Sequence, residues 1–521
     1  MHDASQWLDV LSSQNHGRRW LTLFGGDWGD GGKGNVESVI APHFEVFVRV
    51  SGGANTGRTR FVHTDNGDKE FIFHLIPSGW ADDKESIIGD WVLIDLPRLT
   101  AEIDQLASVM GRTPHAPLRI SPRAPLYLPY HGIWEALIEW RKGADAVGTT
   151  KRGIAPMIAG IDLRIGPVMS HLQHPDVLRK FVEQFYAIFA TDFQQFHDHL
   201  EREADRIAEA GGEAPVVFSM DELAPATVLE QLLADAAPVL EYVDYHIGRR
   251  LIDLGEQNVP TLFGLTQGWG LTRWGTYPFN SSTQTTPQAA PFCANIPSKY
   301  FGGSILVLKL DPTRVGWGGF PTGLWNRRDA EAFPKQHPEL FSALPGHDPL
   351  AREQFLAEMR QTIMDTDGTD RVALAKYIQV FLNELGATSG RGREPGLPDL
   401  FSAACAAQSS GADTIALTRV DFLSGLKLSF KLGTTYRIDG EPCMPPDYPC
   451  PIEQLDRVTV DYATVPVDLR GVDLYGATEL PDCFEQILSL YEQHTGVPVG
   501  LVSTSPKPGE GKIFRLGVER C

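Results

Sequence analysis

Between Gly25 and Gly34 six of ten residues are glycine. The run Gly25-Gly26-Asp27-Trp28-Gly29-Asp30-Gly31-Gly32-Lys33-Gly34-Asn35 follows an apolar stretch holding Trp20, Leu21, Leu23 and Phe24. That stretch reads as a buried strand, and Val36, Val39 and Ile40 beyond the glycines are spaced for one face of a helix. Strand, glycine-rich turn and a helix opening on lysine make a phosphate cradle, because backbone N–H groups and the helix N-terminus face the anion. The common G-x-x-x-x-G-K-[ST] loop does not fit: five residues separate Gly26 from Gly32, and Gly34 follows Lys33. Asp30 sets this loop apart. A carboxylate there repels phosphate unless it holds a magnesium ion or works as a base. A tight turn capped by aspartate is the plainer reading. A second glycine-rich stretch, Ser51-Gly52-Gly53-Ala54-Asn55-Thr56-Gly57-Arg58-Thr59, follows closely.

The chain of 521 residues can hold one large α/β domain with insertions, or two domains. Its net charge of −20 argues against a general binder of nucleic acid or anionic membrane, while leaving room for a small basic pocket. No apolar run is long enough to span a bilayer, and the start, Met1-His2-Asp3, lacks the charged and apolar regions of a signal peptide. A cytoplasmic location is expected, with no membrane or nucleic-acid partner. The six cysteines form no C-x-x-C pair and read as free thiols.

Alternation of strands and helices predicts a large, mostly parallel, doubly wound sheet. Phe71–Leu75, Ile87–Gly89 with Trp91–Ile94, and Thr261–Gly264 read as strands, and Leu96–Met110 as a helix closed by Gly111. Pro175 to Ala210 reads as one long amphipathic helix whose Phe181, Phe185, Phe189, Phe193 and Phe196 are core packing. Val216–Phe218 is expected as a short strand, Pro225–Leu254 as a second helix, and Arg371–Leu385 as a third. The helical region at about 170–256 and a surface stretch at about 329–370 read as insertions into a single domain spanning 1–521.

Other motifs carry chemistry. Gly148-Thr149-Thr150-Lys151-Arg152-Gly153 is a loop between helices that either binds an anion or is a hydroxyl-capped turn. Arg391 and Arg393, two apart in the loop Gly386–Arg393, make a carboxylate clamp or a solvated basic loop. Ala416–Asp421 reads as a strand ending in a carboxylate, which can accept from guanine N1–H and its 2-amino group, a donor pair that adenine lacks.

These motifs resemble those of the adenylosuccinate synthetase family, which reads W-G-D-E-G-K-G-K and G-G-x-N-A-G-H-T at the two glycine stretches. The resemblance returns at His74–Gly79 (H-L-I-P-S-G), Gly148–Pro156, Leu265–Gly268, Gly275–Ser282, Thr313–Thr322, Gly386–Arg393, Thr418–Asp421 and Ser503–Pro506. It implies a GTP-dependent ligase joining L-aspartate, or a similar amino acid, to C6 of a 6-oxopurine nucleoside monophosphate through a 6-phosphoryl intermediate. Asp30 would be the base and, with the Gly57 carbonyl, a ligand of Mg2+. Lys33, Arg58 and Gln267 would complete the catalytic set. Asn55, Thr150, Gln267, Ser281 and Arg391 would bind the monophosphate. Gly29, Gly31, Gly32, Lys33, Gly34, Gly57, Thr59, Arg393, Arg419, Asp421, Ser503 and Ser505 would bind GTP. Ala387, Thr388, Ser389, Gly390, Arg391 and Arg393 would bind the amino acid, and the chain would form a homodimer.

Several positions depart from the family pattern. The family's catalytic histidine is Arg58, which stays protonated and can supply only charge, to the transferring phosphoryl group. Its glutamate after the catalytic aspartate is Gly31, its final loop lysine is Asn35, and an acidic residue three before the binding glutamine is Gly264. Arg164 is the nearest counterpart of the arginine that reaches the neighbouring subunit. These changes leave two alternatives open: the same chemistry on dGMP, giving a 2-aminoadenine precursor, and a nucleotide-binding protein without catalysis.

Overall fold

The computed structural model describes residues 3–29, 31–64, 67–209, 215–273, 277–316, 318–324, 349–382, 393–446, 457–507 and 509–515. A first helix, α1 (Ala4–Gln14), leads to β1 (Trp20–Gly25), whose six residues are all buried, as expected for a strand covered on both faces. Then come α2 (Lys33–Ile40), β2 (Val46–Gly53), the hairpin of β3 (Arg58–Thr64) and β4 (Gly67–Phe73), and β5 (Glu85–Leu93). The helix α3 (Leu96–Met110) has the predicted bounds. Asp95 caps its first turn, accepting from the Arg98 N–H, and left-handed Gly111 closes it. Beyond β6 (Leu118–Ile120) lie α4 (Pro129–Lys142), α5 (Ile154–Asp162), α6 (Pro175–Glu209), α7 (Pro225–Ala236) and α8 (Ile247–Glu256). The remaining strands are β7 (Thr261–Gly268), β8 (Phe301–Lys309), β9 (Thr313–Arg314), β10 (Glu394–Pro395), β11 (Thr414–Thr418), β12 (Lys427–Ile438), β13 (Glu441–Pro442), β14 (Val458–Asp468), β15 (Val499–Ser503) and β16 (Lys512–Phe514).

Nine strands form the central sheet in the order β16-β15-β11-β8-β1-β7-β2-β5-β6. All its pairings are parallel except that of β15 with β16. The fold is therefore the expected α/β type with a large, mostly parallel sheet. Parallel strands share a polarity, so β1, β2, β7, β8, β11 and β15 all end on one edge, where α/β sheets bind their ligands. The principal motifs lie on that edge.

Two predicted elements differ. Residues Val216–Phe218 form no strand, and Val216 is 92% exposed, with no sheet edge to pair with. The expected helix Pro225–Leu254 is two helices: it stops before Pro238, and Val243 bridges to Ile120 at the sheet edge before α8 begins. Arg371–Phe381 is helical as expected, and residues 383–385 of that expected helix lie outside the described residues. An antiparallel sheet of β12, β13 and β14 was not foreseen. Along α6, Leu178, Val182, Phe185 and Phe193 are fully buried and Phe185 stacks on Tyr130, so the aromatic stripe is core. Among the described residues no helix is long and apolar enough to cross a membrane.

Candidate active site

The glycine loop crosses the carboxyl edge of the sheet, and other motifs close around it. Gly32 caps α2 at φ 79°, and a Cβ there would lie 2.8 Å from Thr418 Oγ1, so only glycine meets both demands. Thr418 at the end of β11 donates to the Gly31 carbonyl over 3.1 Å. Asp27 accepts from the Lys309 N–H at 2.9 Å, and the Trp28 carbonyl accepts from the Val315 N–H at 3.0 Å. The Trp28 ring packs on Phe320, centroids 4.6 Å apart, which seats the Thr313–Thr322 segment on the loop. Asn35, where the family has lysine, donates to the Ser505 carbonyl over 2.7 Å and accepts from Ser503 Oγ at 3.2 Å. A charge has been replaced by a tie between the helix start and the C-terminal turn.

Lys33 is buried, and its ammonium donates to the carbonyls of Gln267 at 2.5 Å and Gly29 at 3.4 Å. Gln267, next to last in β7, has φ 61°, a left-handed conformation that costs a non-glycine residue energy. Arg58 does not stand free beside the loop. Its guanidinium forms a salt bridge with buried Glu37 and donates to the Leu265 carbonyl over 2.9 Å. Glu37 also accepts from Ser78 of the H-L-I-P-S-G turn. That turn is held from beneath by Glu102, whose carboxylate accepts from the N–H groups of His74, Leu75 and Ile76 at 2.8, 2.8 and 3.1 Å. Burial pushes the Glu102 carboxyl up to about 7.

In the second glycine stretch, Arg49 donates to Thr56 Oγ1 over 2.8 Å and the His74 ring bonds the Thr56 carbonyl at 2.9 Å. Asn55 carries a buried Oδ1 without a partner, and Gly57 and Thr59 are exposed. In the loop 148–153, Glu139 accepts from the N–H groups of Val147, Gly148 and Thr149, and Glu135 from that of Gly153 at 2.9 Å. The backbone donors expected for an anion are thus partly filled by the protein's own carboxylates. Thr150 is exposed, whereas the Thr149 hydroxyl is buried without a partner. Ser281 shares a hydrogen bond with Thr283 at 2.8 Å. Arg164 is exposed on the turn after α5.

At the far end of the edge, Asp421 sits in a short 3-10 turn beyond β11 rather than on the strand itself. It is 4% exposed, and its Oδ1 has no partner. Burial raises its carboxyl above the usual aspartate range, opposed by the charges of Arg419 and Lys512. Lys512 braces the Ser503–Ser505 turn, donating to the carbonyls of Ser505, Lys507 and Glu510 over 2.6, 2.8 and 2.8 Å. Burial pulls its ammonium down to about 8. Arg393 is half-buried and its carbonyl accepts from Gln379 at 2.9 Å. Asp30, Ala387, Thr388, Ser389, Gly390 and Arg391 lie outside the described residues.

Sequence reading missed Glu37, Glu102, Glu135, Glu139 and Lys512. Each acts on a partner distant in the chain, or on backbone groups, so no local motif marks it.

The sequence profile of the adenylosuccinate synthetase family matches residues 22–510. An adenylosuccinate synthetase from Coprinopsis cinerea is 28% identical over 498 residues, covering 93% of this chain and 96% of its own. One from Nitratidesulfovibrio vulgaris is 29% identical over 495 residues, covering 94% and 98%. Among solved structures, fully ligated adenylosuccinate synthetase from Plasmodium falciparum superposes with a TM-score of 0.71 at 21% identity, over 95% of this chain and all of that one. The cyanophage S-2L succinoaminodeoxyadenylate synthetase bound to dGMP and dATP matches with a TM-score of 0.52 at 14% identity, over 95% of both chains.

Proposed function

The chain belongs to the adenylosuccinate synthetase family of C–N ligases, and we propose that it joins L-aspartate to C6 of a 6-oxopurine nucleoside monophosphate at the expense of GTP. The observation that carries the guanine assignment is the buried Asp421 oxygen that has no partner. A carboxyl group stripped of water needs donors, and guanine N1–H and its 2-amino group supply two. The turn Ser503–Ser505, tied to Asn35 at the head of α2, brings this base end and the phosphate cradle onto one frame.

The chemistry runs in two steps. Asp30 takes the N1 proton of the acceptor purine, O6 attacks the γ-phosphorus, and GDP leaves. The aspartate amine then adds at C6 and inorganic phosphate departs with the former O6. Lys33, at the head of α2 with its ammonium on the carbonyls of Gly29 and Gln267, offers its charge to phosphate oxygens. Asn55, Thr150, Gln267, Ser281 and Arg391 bind the monophosphate; Gly29, Gly31, Gly32, Gly34, Thr59, Arg393, Arg419, Ser503 and Ser505 serve GTP. The loop Ala387–Arg393 clamps the amino acid. Arg58, paired with Glu37 and the Leu265 carbonyl, adds its fixed positive charge toward the end of β7. The Asp30 carboxylate and the exposed Gly57 carbonyl are hard oxygen donors that suit Mg2+. Bound there, the ion would neutralise phosphate charge. A homodimer and a cytoplasmic location complete the proposal.

The test is a panel of nucleoside monophosphates, IMP and dGMP among them, incubated with GTP, Mg2+ and aspartate. Phosphate release that requires both monophosphate and aspartate, with a succinylated product by mass spectrometry, is the expected result. The panel also decides between IMP and dGMP. Release with neither substrate required, or with none of the panel, would overturn the reading and favour a binding protein.

A further inference from the structure

Glu37 and Gly264, which no motif assigns a role, fix where Arg58 sits; what this means for turnover rests on the ligase reading above. Glu37 lies one helical turn beyond Lys33 on α2 and is 1% exposed. A carboxylate buried as deeply as Glu37 needs a cation, and the guanidinium of Arg58, whose side chain is 12% exposed, supplies it. The space comes from β7. A Cβ on Gly264 would lie 2.6 Å from one terminal nitrogen of Arg58 and 3.3 Å from the other, and the three atoms nearest it all belong to this guanidinium. Any larger residue at 264 must displace the Arg58 guanidinium from this position.

The seated guanidinium has a consequence at the substrate. Arg58 holds the carbonyl of Leu265, and Lys33 holds that of Gln267. Two cations therefore grip alternate carbonyls at the end of β7, where Gln267 is left-handed. We propose that Glu37 and Gly264 form a seat for Arg58, and that Arg58 so seated is a positioning residue that keeps Gln267 in the conformation that binds the monophosphate. It is drawn back from the transferring phosphoryl group.

A double-mutant cycle tests this. Because the obstructed group is the end of a flexible side chain, Gly264→Ala should fold, with melting as the check. In the otherwise wild-type enzyme Gly264→Ala should raise the KM for the monophosphate by roughly fivefold to twentyfold while leaving the KM for GTP within about twofold. In an Arg58→Ala background the same change should have no further effect. Glu37→Gln should move the same KM in the same direction, and Arg58→Lys, which cannot fork between Glu37 and Leu265, should restore little. Full additivity of Gly264→Ala and Arg58→Ala would overturn the seat. A loss confined to kcat would overturn the positioning role and return Arg58 to the phosphoryl group. Should no monophosphate turn over, the ligase reading fails separately and the cycle is read in Tm: coupling there supports the seat, additivity refutes it.

Discussion

Two carboxylate–arginine couples stand on the same edge of the sheet and behave in opposite ways. Glu37 and Arg58 are closed on each other, and Ser78 and the Leu265 carbonyl take up a further atom of each. Asp421 and Arg419, two residues apart, keep a buried carboxyl oxygen and a buried guanidinium Nε without partners. Proteins rarely leave buried polar groups unsatisfied, so on the function proposed above the open couple is read as facing a ligand and the closed couple as framework. Residue type alone does not tell them apart, since each is an acid with an arginine. Partner satisfaction does.

The comparison can be broken at several points. The largest effect is expected at the loop carboxylate. Asp30→Asn should cut turnover by about a thousandfold or more while nucleotide binding stays within about tenfold, since the phosphate contacts remain. Near-normal turnover would remove Asp30 from the mechanism. For the closed couple, Glu37→Ala should appear in stability rather than in GTP affinity. Stranding an arginine whose side chain is only 12% exposed costs at most about 3–5 kcal/mol, so denaturant unfolding should shift while KM for GTP barely moves. A stable Glu37→Ala variant with weakened GTP would reverse the assignment.

For the open couple, Asp421→Asn should weaken GTP by about 1–3 kcal/mol and improve use of XTP. An amide offers one acceptor and one donor, which matches the N1–H and 2-oxo group of xanthine. Unchanged GTP affinity would sink the guanine assignment. Because burial raises the Asp421 carboxyl, GTP affinity should also begin to fall at a higher pH than an ordinary aspartate would allow. The smallest effect concerns Lys512. Its ammonium sits near 8, so raising the pH from about 7 to about 9 neutralises it, removes one donor from the turn, and should raise KM for GTP about twofold to fivefold. Stability should move the other way. Between about 8 and 10.5 the unfolded state binds a proton that the folded lysine does not, so this group makes the fold more stable as pH rises. Lys512→Met should abolish both trends.

How much was legible in the sequence follows the same divide. The helix Leu96–Met110 was readable to the residue because its stop and start signals, Asp95 and Gly111, are local. The strand, glycine turn and helix opening on Lys33 were readable because the glycines, the lysine and the flanking periodicities adjoin one another. Val216–Phe218 misled because a β-branched run satisfies strand propensity whether or not an edge is there to pair with. The split between α7 and α8 depends on a bridge to Ile120, far away in the chain. Among site residues, Asp421 could be named from the end of an apolar run. Glu37 could not: in sequence it is one more helix residue, and its importance lies in Arg58, 21 positions away. Arg58 is expected at the phosphoryl group from its place in the motif, and that motif does not show its buried partner Glu37.

The central claim is that the acceptor's own O6 attacks the γ-phosphate and leaves with it. Supplying the monophosphate with oxygen-18 at C6, together with GTP and aspartate, follows that atom directly. The account predicts that the label leaves the purine and appears in inorganic phosphate, one atom for each succinylated product formed. Succinylated product formed in unlabelled water with unlabelled phosphate would contradict it, because the oxygen would then have left C6 without ever bonding to phosphorus.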